Sequence, residues 1–350
     1  MAQKFRVALS GDFRKADGSP TYPDFDLSPL KSAPNVEMQF IESNNPIKGE
    51  QLEDFDALIL LAHRFGKESV PSSGRLVVIA RFGVGYDTVD VEACTKAGIA
   101  LVITPDGVRR PVAVSIITLI LALTGKLMIK DRLTREAAAG FARRSDHMGV
   151  GLVGRTLGSV GIGNIGAEMY RMAKPFDMKF IAHDPFADKK VAAELGIELV
   201  SLEDVFRRSD IVSVSCPLTP ETHHLVNAER LALMKPTAYF INTARGPIVD
   251  QKALTRVLQE RKIAGAGLDV LEKEPPDADD PILKLDNVIL SPHALCWTDQ
   301  CFAGNGAADV KAVLEVQHGR VPRGVVNRAV LDHPEWKRRL AAFGKAFGGQ

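Results

Sequence analysis

Arg245, Glu274 and His293 each lie a few residues beyond an apolar run. The segments are Ile241-Asn242-Thr243-Ala244-Arg245-Gly246, Gly267-Leu268-Asp269-Val270 through to Glu274-Pro275, and Leu290-Ser291-Pro292-His293. Together these types suit the reduction of a carbonyl that neighbours a carboxylate. A guanidinium can grip a carboxylate with two parallel N–H donors while polarising the adjacent carbonyl, which the point charge of a lysine cannot do. An imidazole can give its proton to the developing alkoxide, or take it from the alcohol in the reverse direction. A carboxylate beside it stabilises the imidazolium, so Glu274 and His293 would act as one acid–base unit. Singly, each has an ordinary alternative: Arg245 a surface ion pair, Glu274 a solvated acid, His293 a turn residue after Ser-Pro. As a set they would gather at one rim, because functional residues of a parallel sheet collect at the carboxyl ends of its strands.

A second constellation is Val160-Gly161-Ile162-Gly163-Asn164-Ile165-Gly166, which follows a strand-like run and opens a helix-like stretch over 167–174. Gly161 would permit a tight turn and Gly163 the close approach of a pyrophosphate. Gly166 would let helix and strand pack closely, with the helix N-terminus facing the negative charge. Spaced glycines are weak evidence in a chain that has 29 of them. The discriminating residue is Asp184, which ends the next strand-like run about 20 residues further on and can accept hydrogen bonds from a ribose. A carboxylate there repels a 2′-phosphate, so NAD is favoured over NADP, although Lys189 and Lys190 could soften that preference. The alternative role for Asp184 is a helix cap or turn before Pro185.

The elements that must position these residues read as two α/β series. Apolar runs at 5–9, 36–41, 57–61, 76–80 and 99–103 alternate with polar or helix-like stretches, and a second series follows at 159–162, 178–183, 211–215, 238–242, 264–268 and 288–290. Short buried runs in this alternation predict parallel strands covered on both faces. Between the series, 109–130 reads as one long helix opened by Pro111, with 112–123 buried. Residues 298–317 have helical spacing, and the remainder is too short for a third domain, so the chain returns to the first unit. This gives two doubly wound units: a discontinuous one over 1–108 and 298–350, and one over 109–297 inserted in it.

Composition excludes several classes. Forty-four basic and 43 acidic side chains give a net charge of +1, which points to neither nucleic acid nor an anionic membrane. The apolar run at 112–123 is well short of the roughly 20 residues a bilayer requires, and the segment 1–7 lacks the apolar core of a signal peptide. The four scattered cysteines read as reduced thiols, which predicts a cytoplasmic location. No metal is assigned. His223-His224 looks like a metal pair, but adjacent side chains rarely converge and no acid has suitable spacing. Cys216, before Pro217, reads as a wall residue rather than a nucleophile.

The chain resembles the D-isomer-specific 2-hydroxyacid dehydrogenase family, which includes phosphoglycerate, glycerate, D-lactate and formate dehydrogenases. The matching stretches are Arg81-Phe82-Gly83-Val84-Gly85-Tyr86-Asp87-Thr88-Val89-Asp90, the glycine motif with Asp184, Cys216-Pro217-Leu218-Thr219-Pro220-Glu221-Thr222, and the three segments of the first constellation. They occur in the family's order over nearly the whole chain. The resemblance implies that Arg245, Glu274 and His293 are catalytic, with His293 the proton donor, and that backbone groups of Gly83, Val84 and Gly85 take the substrate carboxylate together with Arg245. It implies that Gly161, Gly163, Asn164, Ile165, Gly166 and Asp184 bind NAD, with Cys216, Thr222, Thr243 and Ala244 along the ribose and nicotinamide and Asp269 by the carboxamide. It also implies a flavodoxin-like substrate domain around a Rossmann cofactor domain, and a homodimer joined through the cofactor domains.

Two departures stand out. Pro111-Val112-Ala113-Val114-Ser115 occupies a stretch that reads Ser-Val-Ala-Glu-His in many members, and Ala294-Leu295-Cys296-Trp297 follows His293 in place of a small-residue turn, hinting at a distinct substrate pocket. In the loop Leu61-Ala62-His63-Arg64, a His-Arg pair is unusual beside a pocket holding only a methyl group, because buried polar groups need partners. Arg64 therefore predicts a polar 2-hydroxy or 2-keto acid, glycerate/hydroxypyruvate-like or a sugar acid. The rival readings are a non-enzymatic NAD-sensing binding protein and a formate dehydrogenase, whose members carry an amide where this chain has Glu274.

Overall fold

The computed structural model describes residues 3–348. Positions 1–2 and 349–350 of the expected domain bounds fall outside the described residues. The chain divides into two units, Met1–Val108 with Thr298–Gln350, and Arg109–Trp297.

The first unit holds a five-stranded parallel sheet of β1 (Phe5–Leu9), β2 (Val36–Phe40), β3 (Ala57–Leu60), β4 (Val78–Arg81) and β5 (Ala100–Ile103), in the order β2-β1-β3-β4-β5. That is the flavodoxin-like order, with its switch between β1 and β3. The side chains of β3 are buried throughout, as befits a central strand covered on both faces. The helix Asp299–Gln317 packs against β4 and β5, and the helix Pro334–Phe347 lays Phe343 edge-on against Phe5 at 5.0 Å. The last segment thus completes the core of the first unit.

The second unit holds a seven-stranded parallel sheet: β6 (Thr156–Val160), β7 (Lys179–His183), β8 (Ile197–Leu199), β9 (Ile211–Val214), β10 (Tyr239–Asn242), β11 (Gly265–Leu268) and β12 (Val288–Leu290). The order β12-β11-β10-β9-β6-β7-β8 is the Rossmann arrangement with one strand added, and its switch point lies between β6 and β9. Local chemistry sets the helices between strands. Asp188, Ser201, Asn227 and Asp250 each accept a backbone N–H in a helix's first turn, worth about 1 kcal/mol apiece. Gly196, at φ +71°, ends the helix Lys189–Leu195 and turns the chain into β8. That strand escaped the sequence reading, since only Ile197 of its three residues is buried.

The connecting helix also differs from the reading. It spans Pro105–Thr124, so Pro105 is its first residue and Pro111 lies inside it. It stops at Gly125, where Lys126 takes a left-handed φ of +57°, before a separate helix Leu127–Arg135. At 20 residues it is long and apolar enough by composition to cross a membrane, with 61% of its most apolar window buried inside the protein.

Candidate active site

At the switch point, Gly161 has φ +95°, and a Cβ there would come within 2.7 Å of Ser215 O, so the turn from β6 requires glycine. Gly166 is needed for packing, because a Cβ would approach Gly161 O to 2.7 Å. Gly163 is the opposite case: nothing lies within 4 Å of a Cβ, and it and Asn164 are exposed. No side chain caps the helix Asn164–Ala173, so the N–H groups of its first turn, those of Asn164, Ile165 and Gly166, keep no helical acceptor. Asp184 reaches this loop directly, accepting from Ile162 N at 2.9 Å with one carboxyl oxygen and from Phe186 N at 2.9 Å with the other. Each oxygen keeps capacity for a further donor. An open glycine, free helix N–H groups and a nearby carboxylate fit a dinucleotide.

Burial pushes the Cys216 thiol up to about 11, so it stays protonated as a wall residue. Thr222 closes its own turn, accepting from Thr219 N and donating to Pro217 O, each at 2.7 Å, so its donor is already engaged. Thr243 and Ala244 are half-buried past the end of β10.

Arg245, Glu274 and His293 follow β10, β11 and β12, three adjacent strands at one side of the sheet. His293 Nδ1 lies 2.9 Å from Glu274 Oε2, and Leu271 N donates to Glu274 Oε1 at 3.0 Å. Burial of Glu274 opposes its ionised form. The His293 and Leu271 hydrogen bonds and the charges of His293 and Arg245 outweigh it and hold the carboxyl below its ordinary 4.5. Arg245 donates from Nη1 to Ala244 O at 2.7 Å.

Two residues position these loops: Asn242, which the sequence reading missed, and Asp269, which it named for another role. Asn242, 1% exposed, accepts from Ala244 N and donates to Arg245 O, each at 3.0 Å, which fixes the backbone that carries Arg245. Asp269 accepts with one oxygen from Ser291 Oγ at 2.6 Å, Ala294 N at 3.0 Å and Leu295 N at 3.1 Å, and its carbonyl accepts from His293 N at 2.8 Å. It thereby holds His293 at φ +55°, a conformation unusual for a side chain of this size. Asp269, expected beside a carboxamide, also organises the histidine turn. Leu295 packs on the core of the second unit, whereas Trp297 stays half-exposed. His224 meets Glu272 at 2.7 Å, an acidic partner 48 residues away that no local spacing reveals. Among the described residues no group of three or more His, Cys, Asp or Glu could hold a metal.

In the first unit, the loop after β4 differs from its expected role in one respect. Gly83 N donates to Thr104 Oγ1 at 2.8 Å and Gly83 O accepts from Thr104 N at 2.9 Å, so the Gly83 N–H is not available to a substrate. Val84 and Gly85 are half-buried, with no acceptor for either N–H among the described residues. The His63-Arg64 pair separates. His63 is 9% exposed, with Nε2 3.2 Å from Ser43 Oγ and 3.8 Å from Asp12, so it ties the loops after β1, β2 and β3 together. Arg64 is exposed, and its backbone N–H donates to Asn45 Oδ1 at 2.9 Å.

Residues 117–294 match the family model described as D-isomer specific 2-hydroxyacid dehydrogenase, NAD binding domain. A glyoxylate reductase of Korarchaeum cryptofilum (strain OPF8) is 39% identical over 284 residues, covering 81% of this chain and 86% of the relative. A D-3-phosphoglycerate dehydrogenase of Methanocaldococcus jannaschii is 38% identical over 79% of this chain and 53% of its own length. Among solved structures, a D-lactate dehydrogenase from Aquifex aeolicus complexed with NAD and lactic acid superposes with a TM-score of 0.76 at 29% identity. It covers 88% of this chain and 94% of that one.

Proposed function

We propose, given that this chain belongs to the D-isomer specific 2-hydroxyacid dehydrogenase family and is an NAD-dependent oxidoreductase, that His293, Glu274 and Arg245 are its catalytic residues and a small polar 2-keto acid its substrate. The observation that carries the reading is the His293–Glu274 pair at 2.9 Å, with the charge of Arg245 acting on the same carboxylate. Bound in its reduced form, NADH, the cofactor would supply the hydride for reduction, and in its oxidised form, NAD+, it would accept one in the reverse direction. His293 would give its proton from Nε2 to the oxygen of the reduced carbonyl, because Nδ1 is engaged with Glu274. Glu274 would keep the ring oriented and stabilise its protonated form. Arg245 would hold the substrate carboxylate and polarise the carbonyl. The N–H groups of Val84 and Gly85, which have no acceptor among the described residues, would serve an anionic group of the substrate.

For the cofactor, the Gly163-Asn164-Ile165 turn would cradle the pyrophosphate and Asp184 the adenosine ribose, with Cys216, Thr243 and Ala244 walling the ribose and nicotinamide. The substrate is argued from two sides. One relative is named for 3-phosphoglycerate, which carries a polar group beyond the reacting carbon. Arg64 is an exposed cation at the carboxyl end of β3, suited to a hydroxyl or acidic group beyond C2. We read the chain as a homodimer in the cytoplasm. Seven of the thirteen exposed large hydrophobics among the described residues fall within 114–153, including Met148 at 75% and Val153 at 77%, a concentration that fits a covered face.

The testing experiment is kcat/KM with NADH for hydroxypyruvate and longer polyhydroxy 2-keto acids against pyruvate, in the parent and in Arg64→Ala. A parent preference for the polar acids that shrinks in the variant supports the substrate reading. A parent that prefers pyruvate, or a preference that Arg64→Ala leaves unchanged, overturns it.

A further inference from the structure

The helix Asp299–Gln317 buries an unusual line of polar side chains. Asn305 is 3% exposed and Asp309, one turn on, is fully buried, both on the face packed against the strands β4 and β5. A buried polar group costs free energy unless something requires it. Asn305 has a definite partner: Thr104 Oγ1, 1% exposed, donates to its Oδ1 at 2.7 Å. The same hydroxyl accepts from Gly83 N at 2.8 Å, while Thr104 N donates to Gly83 O at 2.9 Å. A two-point clamp therefore holds the peptide groups of Gly83, and its orientation is set from the helix through one hydroxyl. Gly107 makes room for the clamp, since a Cβ there would overlap Asn305 Oδ1.

A second contact lies beside it. Neither carboxyl oxygen of Asp309 has a hydrogen-bond partner among the described residues, and the cation acting on it is Arg81, whose guanidinium donates to Phe82 O. Phe82 itself is locked among Phe13, Phe25 and Phe302, with ring centroids 5.3 to 5.8 Å away. Residues 81–83 are thus fixed on all sides, and Val84 and Gly85 project from them with N–H groups uncommitted.

We propose that Thr104 and Asn305 are positioning residues for the substrate carboxylate: their relay fixes the Gly83 peptide so that the next two N–H groups converge on one anion. This rests on the reading of residues 83–85 as the carboxylate loop. The relay explains why Gly83 itself does not donate to substrate, and why a buried helix face carries an amide opposite a threonine. The hydroxyl is the essential part, since it accepts from Gly83 and donates to Asn305 at once, which the methyl group of a valine in its place cannot do.

The experiment compares Thr104→Val, which keeps the shape and removes the hydroxyl, with Thr104→Ser, which keeps the hydroxyl and removes the methyl. KM for the 2-keto acid, KM for NADH and kcat are measured in each, with fluorescence titration of NADH verifying that the fold is intact. The expected result is a keto-acid KM raised about tenfold in Thr104→Val with the KM for NADH unchanged, and a value within about threefold of the parent in Thr104→Ser. An unchanged keto-acid KM in folded Thr104→Val overturns the relay, as does equal loss in both variants, which would assign the effect to packing. Should Thr104→Val fail to fold, Asn305→Ala must raise the same KM selectively, and an unchanged value there overturns the relay. Gly85→Pro, which deletes one free donor, separates the two readings: if it leaves the keto-acid KM unchanged, the carboxylate loop itself is lost. If it raises KM while Thr104→Val does not, only the relay falls.

Discussion

Glu274 illustrates how a single side chain is tuned by what touches it. Its burial would favour the neutral acid, but the hydrogen bonds from His293 and Leu271 and the nearby charges win, so its carboxyl titrates below 4.5. A depressed carboxylate contributes its full stabilisation above the unfolded value and loses it as the pH falls through the folded one. Glu274 therefore stays ionised from pH 5 upward, and the reductive kcat/KM of the parent has no loss between pH 7 and 5 on its account. In Glu274→Gln the ring of His293 loses the carboxylate that orients it, so the reductive kcat/KM at pH 7 should fall about tenfold with NADH affinity unchanged; a variant within about threefold of the parent contradicts the pairing. Asp184 gives a second prediction at this scale. Asp184→Ala removes the charge that repels a 2′-phosphate, so the ratio of kcat/KM for NADH over NADPH should fall by about tenfold or more, and an unchanged ratio would remove Asp184 from cofactor choice.

At the scale of elements, the helix Asp299–Gln317 carries a measurable cost. Burial raises the Asp309 carboxyl well above its ordinary 3.8, with Arg81 only partly offsetting it. Above pH 3.8 the unfolded chain releases this proton before the folded one does, so stability falls as the pH rises toward the folded value. Asp309→Asn abolishes that titration. The parent Tm should therefore decline more than the variant's between pH 5 and pH 8, and identical pH dependences would contradict the burial argument. The strands were legible because most are short apolar runs bounded by turns, and the glycine motif because each glycine has its own steric reason. β8 was not, having one buried residue, and the connecting helix reads as 109–130 rather than Pro105–Thr124 because a first-turn proline and one six residues inside a helix look alike in sequence. The site was legible as far as its ionisable residues at strand ends. Asn242, the Thr104–Asn305 pair and the part Asp269 plays in the histidine turn were not, because they act on loop backbone that the fold brings together; Thr104 and Asn305 lie 201 positions apart.

For the whole molecule, the exposed hydrophobics at 114–153 predict self-association. Size-exclusion chromatography with light scattering should give twice the 38.0 kDa chain mass, and the double variant Leu127→Glu with Met128→Glu should shift it toward the monomer. A monomeric parent contradicts the dimer. The central claim, NADH-linked reduction of a 2-keto acid with His293 as proton donor, is tested most directly by initial rates of NADH oxidation at saturating keto acid in the parent and in His293→Ala, with NADH affinity measured alongside. The account predicts turnover by the parent and a kcat lowered by about 10²–10⁴-fold in the variant at unchanged NADH affinity. A variant within about threefold of the parent, or a parent that turns over no 2-keto acid, would contradict it.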